Sequence, residues 1–331
     1  MESNQPLTSV ITPVFNGEAH LAECIESVLA QTYDNWEYII NDNASSDRSL
    51  EIAQAYAKAD PRIHVYTREG TITAAANHHA AFQRMSPQSQ YCKVVHADDW
   101  LFPGCLTEMV AVAEAHPSVS MVSAYRLDDT LITLDGLPFP STVTPGREIC
   151  RRTLRGELYV FGTPTSLLIR SDLIRNASSV YDESTYPLHW DTAACYELLR
   201  DWDLGFVHQV LTYTRRSAAG RTSFSRRINT YVVENLKMLR QYGPGLFNAA
   251  EYRQCLDQRL TSYFQFLGRS TFYPQDQEFW DYHRTALAEL GYSSPRARIF
   301  QAALRAVAEI LVDPVKNQWK VHFGGYDPTR S

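Results

Sequence analysis

The chain has 331 residues, 44% hydrophobic and 21% charged, enough to bury a core in two domains or in one large α/β domain with an appendage. A formal net charge of −6 lacks the basic balance of a nucleic-acid binder, so no nucleic-acid partner is expected. No apolar run reaches about 18 residues, the first six residues are polar, and the six cysteines form no CxxC pair, which points to a cytoplasmic chain with buried, reduced thiols and neither transmembrane helix nor secretory signal. The Asn-x-Ser triplets at Asn43 and Asn176 are then chance matches.

Residues 8–12 predict a short buried strand ending at Pro13, followed by a turn at Asn16 and Gly17. Leu21, Cys24, Ile25, Val28 and Leu29 recur at helical spacing, so a helix is expected over 18–31. A second strand over 37–40 runs into the polar turn 41–47, and Ser45, Ser46 or Asp47 can cap the helix that follows. A third strand over 62–66, an Ala-rich helix over 74–84 and a fourth strand over 91–95 come next. The acidic group at 96–99 stands at the end of that strand. Pro103 suits the first turn of a helix reaching His116, and residues 119–124 give a fifth strand.

Strands alternating with helices predict a mostly parallel sheet sandwiched by helices, a Rossmann-like α/β architecture. Ligands bind at the carboxyl ends of such strands. Asp42 and the pair Asp98 and Asp99 both fall at strand ends, so they are expected on one rim.

Beyond residue 125 the pattern loosens. Residues 126–136 read as a hairpin, and a short helix is expected over 191–199. After Arg221 only helices are predicted, over 228–242, 249–269, 275–290 and 297–312, with 221–226 as a mobile loop. The expected division is 1–222, with halves at 1–124 and 125–222, and a helical C-terminal extension over 223–331. Arg296, Arg298, Arg305, Lys316 and Lys320 alternate with Ile299, Phe300, Leu304, Val307, Leu311, Trp319 and Phe323. Such a basic amphipathic pattern suits peripheral contact with the inner face of the cell membrane, or packing against the first domain or in a homodimer.

No GxGxxG or GxxxxGK loop is present, so a bound diphosphate needs another source of positive charge. A divalent cation held by carboxylates, Mn²⁺ or Mg²⁺, would supply it. The segments SVITPVFNGE (9–18), CIESVLAQTY (24–33), DNASSD (42–47) and HADDW (96–100) resemble the opening of family 2 glycosyltransferases. The resemblance covers about residues 7–217. It implies the GT-A fold and inverting transfer from a nucleotide-diphosphate sugar, most simply a UDP-sugar, to a glycan or lipid-linked acceptor in bacterial surface-polysaccharide biosynthesis.

The resemblance implies roles position by position. Thr12, Pro13, Phe15 and Glu18 line the nucleoside pocket. Asp42 binds the uracil edge or ribose, and Arg68 and Asn77 lie in a donor-binding stretch. The metal motif matches His96, Ala97, Asp98 and Asp99, with Asp98 and His96 as ligands and Ala97 beside the donor. Asp191 matches the catalytic base, with His189 and Trp190 on the acceptor side. Arg215 matches a diphosphate contact. The chain departs from the family pattern at His96 and Trp190, which replace acids, at Asn43 and Ala44, which replace an acid and a glycine, and at Ser217, which replaces a histidine. The residues by themselves leave plainer readings open: Asp42 or Asp191 as helix caps, His96 as a structural histidine, Trp190 as a packed aromatic, Arg215 as an ion pair. A catalytically silent binding protein and a nucleotidyltransferase are the alternative functions, the latter disfavoured because residues 13–18 hold no Gly- and Lys-rich loop.

Overall fold

A computed structural model of the chain describes residues 5–175, 181, 183–216, 221–292 and 295–312, without the side chains of 221, 222, 306 and 309–312. Asn176, Ser217, Lys316, Trp319, Lys320 and Phe323 lie outside the described residues, as does the side chain of Leu311. The chain divides into two compact units, one running to Cys150 and resuming over Leu158–Arg216, the other comprising Arg151–Glu157 and the chain after Arg216.

The first unit opens on β1 (Thr8–Val14), α1 (Leu21–Leu29), β2 (Trp36–Asp42), α2 (Ser49–Ala59), β3 (Ile63–Tyr66), α3 (Ala74–Phe82) and β4 (Tyr91–Val94). β5 (Trp100–Leu101), α4 (Cys105–Ala115), β6 (Val119–Asp128), β7 (Leu131–Thr133), β8 (Val143–Pro145) and α5 (Gly146–Arg155), which belongs to this unit as far as Cys150, follow. A single 3₁₀ turn (Pro164–Ser166) leads to β9 (Leu168–Arg170), α6 (Ser171–Arg175), α7 (Trp190–Leu199) and β10 (Asp203–Thr214).

One sheet has the order β3-β2-β1-β4-β9-β6-β10-β5, with β7 on β6 and β8 on β10. The long ladders, β1 with β2 and β6 with β10, are parallel, as are β2 with β3 and β1 with β4. β9 runs antiparallel to both of its neighbours, β4 and β6. Two reversals restore the direction, so β10 ends on the same edge as β1, β2 and β4.

β1 is longer than the sequence predicts and carries Pro13 inside it. Ile11 O accepts from Val95 N on the β4 side. Pro13, two residues on, faces the same way beyond the last paired residue of β4, so its missing N–H costs no ladder bond. α1 starts at Leu21, later than predicted, because Gly17 O already accepts from His20 N and Leu21 N in a tight preceding turn. The core of this unit gathers Val10, Leu21, Ile25, Val28, Tyr38, Ile40, Leu106 and Val122 between sheet and helices. All six cysteines of the chain are buried and unpaired.

The second unit is helical: α8 (Arg221–Ile228), α9 (Thr230–Leu246), α10 (Ala249–Ser270), α11 (Gln277–Glu289) and α12 (Arg296–Val312). Residues 221–226, expected as a mobile loop, form most of α8. Phe224 packs on the helical core and Ser225 and Ile228 are buried, a spacing that places all three on one helix face. α10 starts with a capping box, Asn248 accepting from Glu251 N while Glu251 accepts from Asn248 N. A Cβ on Gly268 would lie 2.6 Å from Ala303 N, so only glycine lets α10 and α12 approach this closely. His283 Nε2 donates to Ile228 O, and its Nδ1 accepts from Tyr263 Oη, both at 2.8 Å, which satisfies a buried imidazole without charge. Among the described residues, no helix is long and apolar enough to cross a membrane.

Candidate active site

Three neighbouring strands deliver their carboxyl ends to one rim. β2 ends at Asp42, β1 leads into Phe15 to Glu18, and β4 leads into His96 to Asp99. β10 adds Arg215 from the same edge. The two acidic groups thus lie on one edge of the sheet, as the sequence predicts.

Asp42 is buried, and its Oδ2 accepts from Thr67 Oγ1 at 2.9 Å. Longer contacts from Ser45 N, 3.3 and 3.4 Å, reach the same carboxylate. The N-cap position of α2 is Arg48, which makes no side-chain cap bond; the start of the helix is held instead by Asp47, which accepts from Ser49 N and Ser49 Oγ, and by Glu18, which accepts from Arg48 N at 2.9 Å. Asn43 holds the following loop, donating to Ile72 O and accepting from Ile72 N. Ala44 has φ +57°, the left-handed region that glycine occupies without strain, so the glycine that the family resemblance implies at this position would fit the same backbone.

The remaining donor-side residues divide by depth. Pro13 is half-buried and Phe15 is 55% exposed at the rim. Thr12 lies beneath them with no exposed surface, its Oγ1 donating to Val95 O and accepting from Tyr38 Oη, each at 2.8 Å. Asn77 is buried on α3, exchanging hydrogen bonds with Asn41 across to β2. Arg68 is exposed and its Nε donates to Gly70 O. Ala97 packs beneath the rim turn, 3.1 Å from where a Cβ on Gly17 would stand.

Asp98 and Asp99 differ sharply. Asp99 is buried and fully engaged: Thr165 Oγ1 donates at 2.6 Å, Arg215 N at 3.1 Å and Thr214 Oγ1 at 3.4 Å. Burial, with the neighbouring Asp98 charge, pushes its carboxyl up to about 7 despite those donors. Asp98 is half-buried, and its carboxylate has no hydrogen-bond or ion-pair partner among the described residues. Thr165 joins the pieces, since it also accepts from His96 N at 3.1 Å and its carbonyl accepts from the buried Lys93 Nζ at 2.7 Å.

His96 is half-buried, and desolvation holds its imidazole below the usual range, opposed by Asp98 and Asp191. Asp191 sits in the first turn of α7 and lines a small cavity with Gly162, Thr163, Tyr181 and Cys195. Desolvation raises its carboxyl to about 6, against the Thr192 N–H bond and His96. His189 is buried, and desolvation alone lowers it to about 4. Trp190 is only 6% exposed, with Tyr181 at 4.3 Å and His78 at 5.0 Å between ring centroids. Its ring is thus part of a packed aromatic group.

Arg215 is positioned from several sides. Its guanidinium pairs with Glu23 at 2.6 Å, its Nε donates to Asp98 O, and it lies 5.4 Å from the Trp100 ring centroid. Glu23, Thr165 and His78 belong to this site although the sequence gives little sign of Glu23 or Thr165. Two adjacent histidines in an Ala-rich helix, His78 and His79, are the available signal for His78.

The donor set suits a hard dication. Asp98 and the imidazole of His96 would offer it two ligands, and among the described residues no three His, Cys, Asp or Glu side chains gather into a cage. Mg²⁺ and Mn²⁺ are commonly held in this way, by one or two protein groups and substrate phosphates.

The profile of Glycosyl transferase family 2 matches residues 9–175. GlyG of Streptococcus pneumoniae is 36% identical over 125 residues, 38% of this chain and 41% of its own. TuaG of Bacillus subtilis, a glycosyltransferase named for teichuronic acid biosynthesis, is 38% identical over 99 residues, 30% of this chain and 38% of its own. The uncharacterised y4gI of Sinorhizobium fredii is 30% identical over 236 residues, 70% of this chain and 24% of its own. The chain therefore spans only 24–41% of the length of these three relatives. Among solved structures, S. aureus TarS 1–349 in complex with UDP-GlcNAc aligns with a TM-score of 0.61 at 15% identity, over 88% of this chain and 82% of that one. That likeness shows the GT-A fold. The family profile runs from β1 through α6 and takes in both acidic strand ends, so the chain belongs to glycosyltransferase family 2.

Proposed function

We propose that the chain transfers a sugar, with inversion at the anomeric carbon, from a UDP-sugar to a hydroxyl of a growing glycan or lipid-linked glycan. The observation that carries this reading is the contrast at the rim: Asp99 is saturated by its own fold, while Asp98 beside it keeps an uncommitted carboxylate. Asp98 with His96 would hold Mn²⁺ or Mg²⁺, which when bound stabilises the charge gathering on the departing diphosphate. Asp42 accepts from the uracil N3–H or the ribose, Phe15 and Pro13 cover the base, and Ala97 borders the sugar. Arg215 exchanges Glu23 for the diphosphate. Asp191 removes the acceptor proton, with His189 and Trp190 shaping the acceptor side.

Calorimetric titration with UDP, with and without Mn²⁺, tests the donor site. Binding is expected to be tighter with Mn²⁺, and Asp42→Ala should weaken it by roughly ten- to a hundredfold, the value of a charge-assisted hydrogen bond. The same variant also releases Thr67 and Ser45, so its melting temperature is needed as a control. UDP binding that ignores both Mn²⁺ and Asp42 would remove the assignment.

The helical unit supplies the setting. Phe300, Leu304 and Val307 fall on one face of α12 and are 64%, 54% and 37% exposed. They border an apolar groove of about 470 Å³ with Phe272, Trp280 and Ile299. Arg296 and Arg305 are exposed on the same helix. An apolar face flanked by arginine suits an anionic lipid surface, where a lipid-linked acceptor would be found. The chain should float with vesicles containing anionic phospholipid, and Phe300→Ser with Leu304→Ser should abolish flotation without unfolding. Failure of the unaltered chain to float would discard the membrane role, and a salt-resistant dimer would assign the face to a second copy.

A further inference from the structure

Lys93 stands in β4 with no exposed surface, paired with Val10 of β1 and Leu168 of β9. Taking an amine this deep costs desolvation that an apolar side chain avoids. Methionine has nearly the same volume and would pack beside Met109, so filling space does not call for a lysine. What lysine adds is a donor. Its Nζ donates to Thr165 O at 2.7 Å and lies 3.5 Å from Met109 Sδ, a weak acceptor. Ammonium and neutral amine alike carry an N–H, so the bond to Thr165 holds in either state. Thr165 lies 72 positions further along the chain, in the 3₁₀ turn before β9, and is itself fully buried. Its hydroxyl makes the second half of the connection. Oγ1 donates to Asp99 Oδ2 at 2.6 Å and accepts from His96 N at 3.1 Å. Asp99 N closes the same turn by donating to His96 O at 3.0 Å. β4 therefore carries the turn 96–99 at its end and, three residues earlier, the side chain that grips the turn's clamp.

We propose that Lys93 is a positioning residue: by gripping Thr165 O from the core it aims the Thr165 hydroxyl at the turn 96–99, which ties Asp99 down and leaves Asp98 as the carboxylate available to the donor diphosphate and its cation. The inference rests on the proposed metal-dependent donor site and adds to it a residue that lies beneath the rim and touches no ligand. A 3₁₀ turn of one repeat makes few bonds of its own, so the direction of its hydroxyl depends on what holds its backbone. Without the grip, Asp99 is released beside Asp98 and the turn gains freedom that donor binding must remove, which costs affinity.

Two measurements test this. In protein free of metal and donor, exchange of the His96 amide hydrogen, which Thr165 Oγ1 accepts, should quicken in Lys93→Met, while that of Val95, bonded to Ile11 O, stays slow. Both quickening together would make Lys93 a prop of the whole strand and overturn the proposal. In calorimetric titration with UDP, Lys93→Met should weaken binding in Mn²⁺ about tenfold, the lower end of what outer partners of a metal site contribute, and leave metal-free binding within about twofold. Thr165→Val cuts the same path at the hydroxyl and should do likewise. The double variant should bind no more weakly than Thr165→Val alone, since both changes act on one path. Lys93→Gln, a bond short of Thr165 O, replaces Lys93→Met should that variant not fold, with the same expectations. A double variant clearly weaker than Thr165→Val would overturn the proposal. If Mn²⁺ strengthens UDP binding equally in the unaltered chain and in Lys93→Met, this inference falls while the donor-site reading stands. If Mn²⁺ strengthens neither, both fall.

Discussion

Asp191→Asn should lower turnover by about 10²–10⁴, the usual contribution of a general base, while UDP affinity stays near that of the unaltered chain. The substitution keeps shape and removes basicity. Asp191 opens α7, where the helix N-terminus favours its ionised form, but desolvation dominates and raises the carboxyl to about 6. A base of that strength is ionised at neutral pH and still able to take a proton as the acceptor oxygen bonds to the anomeric carbon. The rate should therefore rise with pH through about 6 and then level off, and the Asn variant should lack that limb. His189, lowered to about 4 by burial, would give a limb near 4 instead. A normal rate in Asp191→Asn with a slow His189→Gln would move the assignment to His189.

The same shift bears on stability. The folded chain holds the Asp191 proton above the pH at which the unfolded chain releases it. The stabilisation from the neutral form is complete below about 4 and is lost as pH rises through about 6. Asp191→Asn should then gain melting temperature over the unaltered chain at pH 7.5 but little at pH 4. Comparing the two proteins at each pH cancels the opposite pull of His189 and His283, whose imidazoles are held low by burial.

The half of the site built from local sequence is legible in the order of residues alone. Alternation of apolar runs and helical spacing places the strand ends, and with them Asp42 and Asp98 on one edge. The partners that decide which carboxylate is available are not legible. Thr165 reaches Asp99 from a 3₁₀ turn far along the chain, and nothing in its neighbourhood marks it. β9 has three residues, too few to show a period, so its antiparallel insertion between β4 and β6 leaves no trace in the pattern. Trp190 illustrates the limit for aromatics: the sequence cannot tell a stacking platform from a buried ring, and packing against Tyr181 and His78 settles that it is buried. In α8 the polar residues hide a short packed face at Phe224, Ser225 and Ile228.

Asp98→Asn should reduce UDP binding in Mn²⁺ to its metal-free level and lower turnover by at least about 10²-fold, since Lewis-acid stabilisation is worth several kcal/mol. The fold should be undisturbed, because the Asp98 carboxylate bonds to nothing among the described residues. Asp99→Asn is the informative contrast. It disturbs the bonds from Thr165 and Arg215 N, so it should lower melting temperature as well as activity. If Asp98→Asn destabilises the chain while Asp99→Asn leaves it stable, the roles of the two carboxylates are reversed.

Proton NMR of sugar release probes metal-dependent, inverting transfer in a single experiment. The chain is incubated with Mn²⁺ and UDP-sugars α-configured at the anomeric carbon, water serving as a slow acceptor, and the first-formed sugar is recorded before it mutarotates. UDP should be released with the β anomer appearing first, and the signal should be lost in Asp98→Asn and Asp191→Asn. The α anomer appearing first, or release that persists undiminished in both variants, would contradict inverting transfer through these two carboxylates.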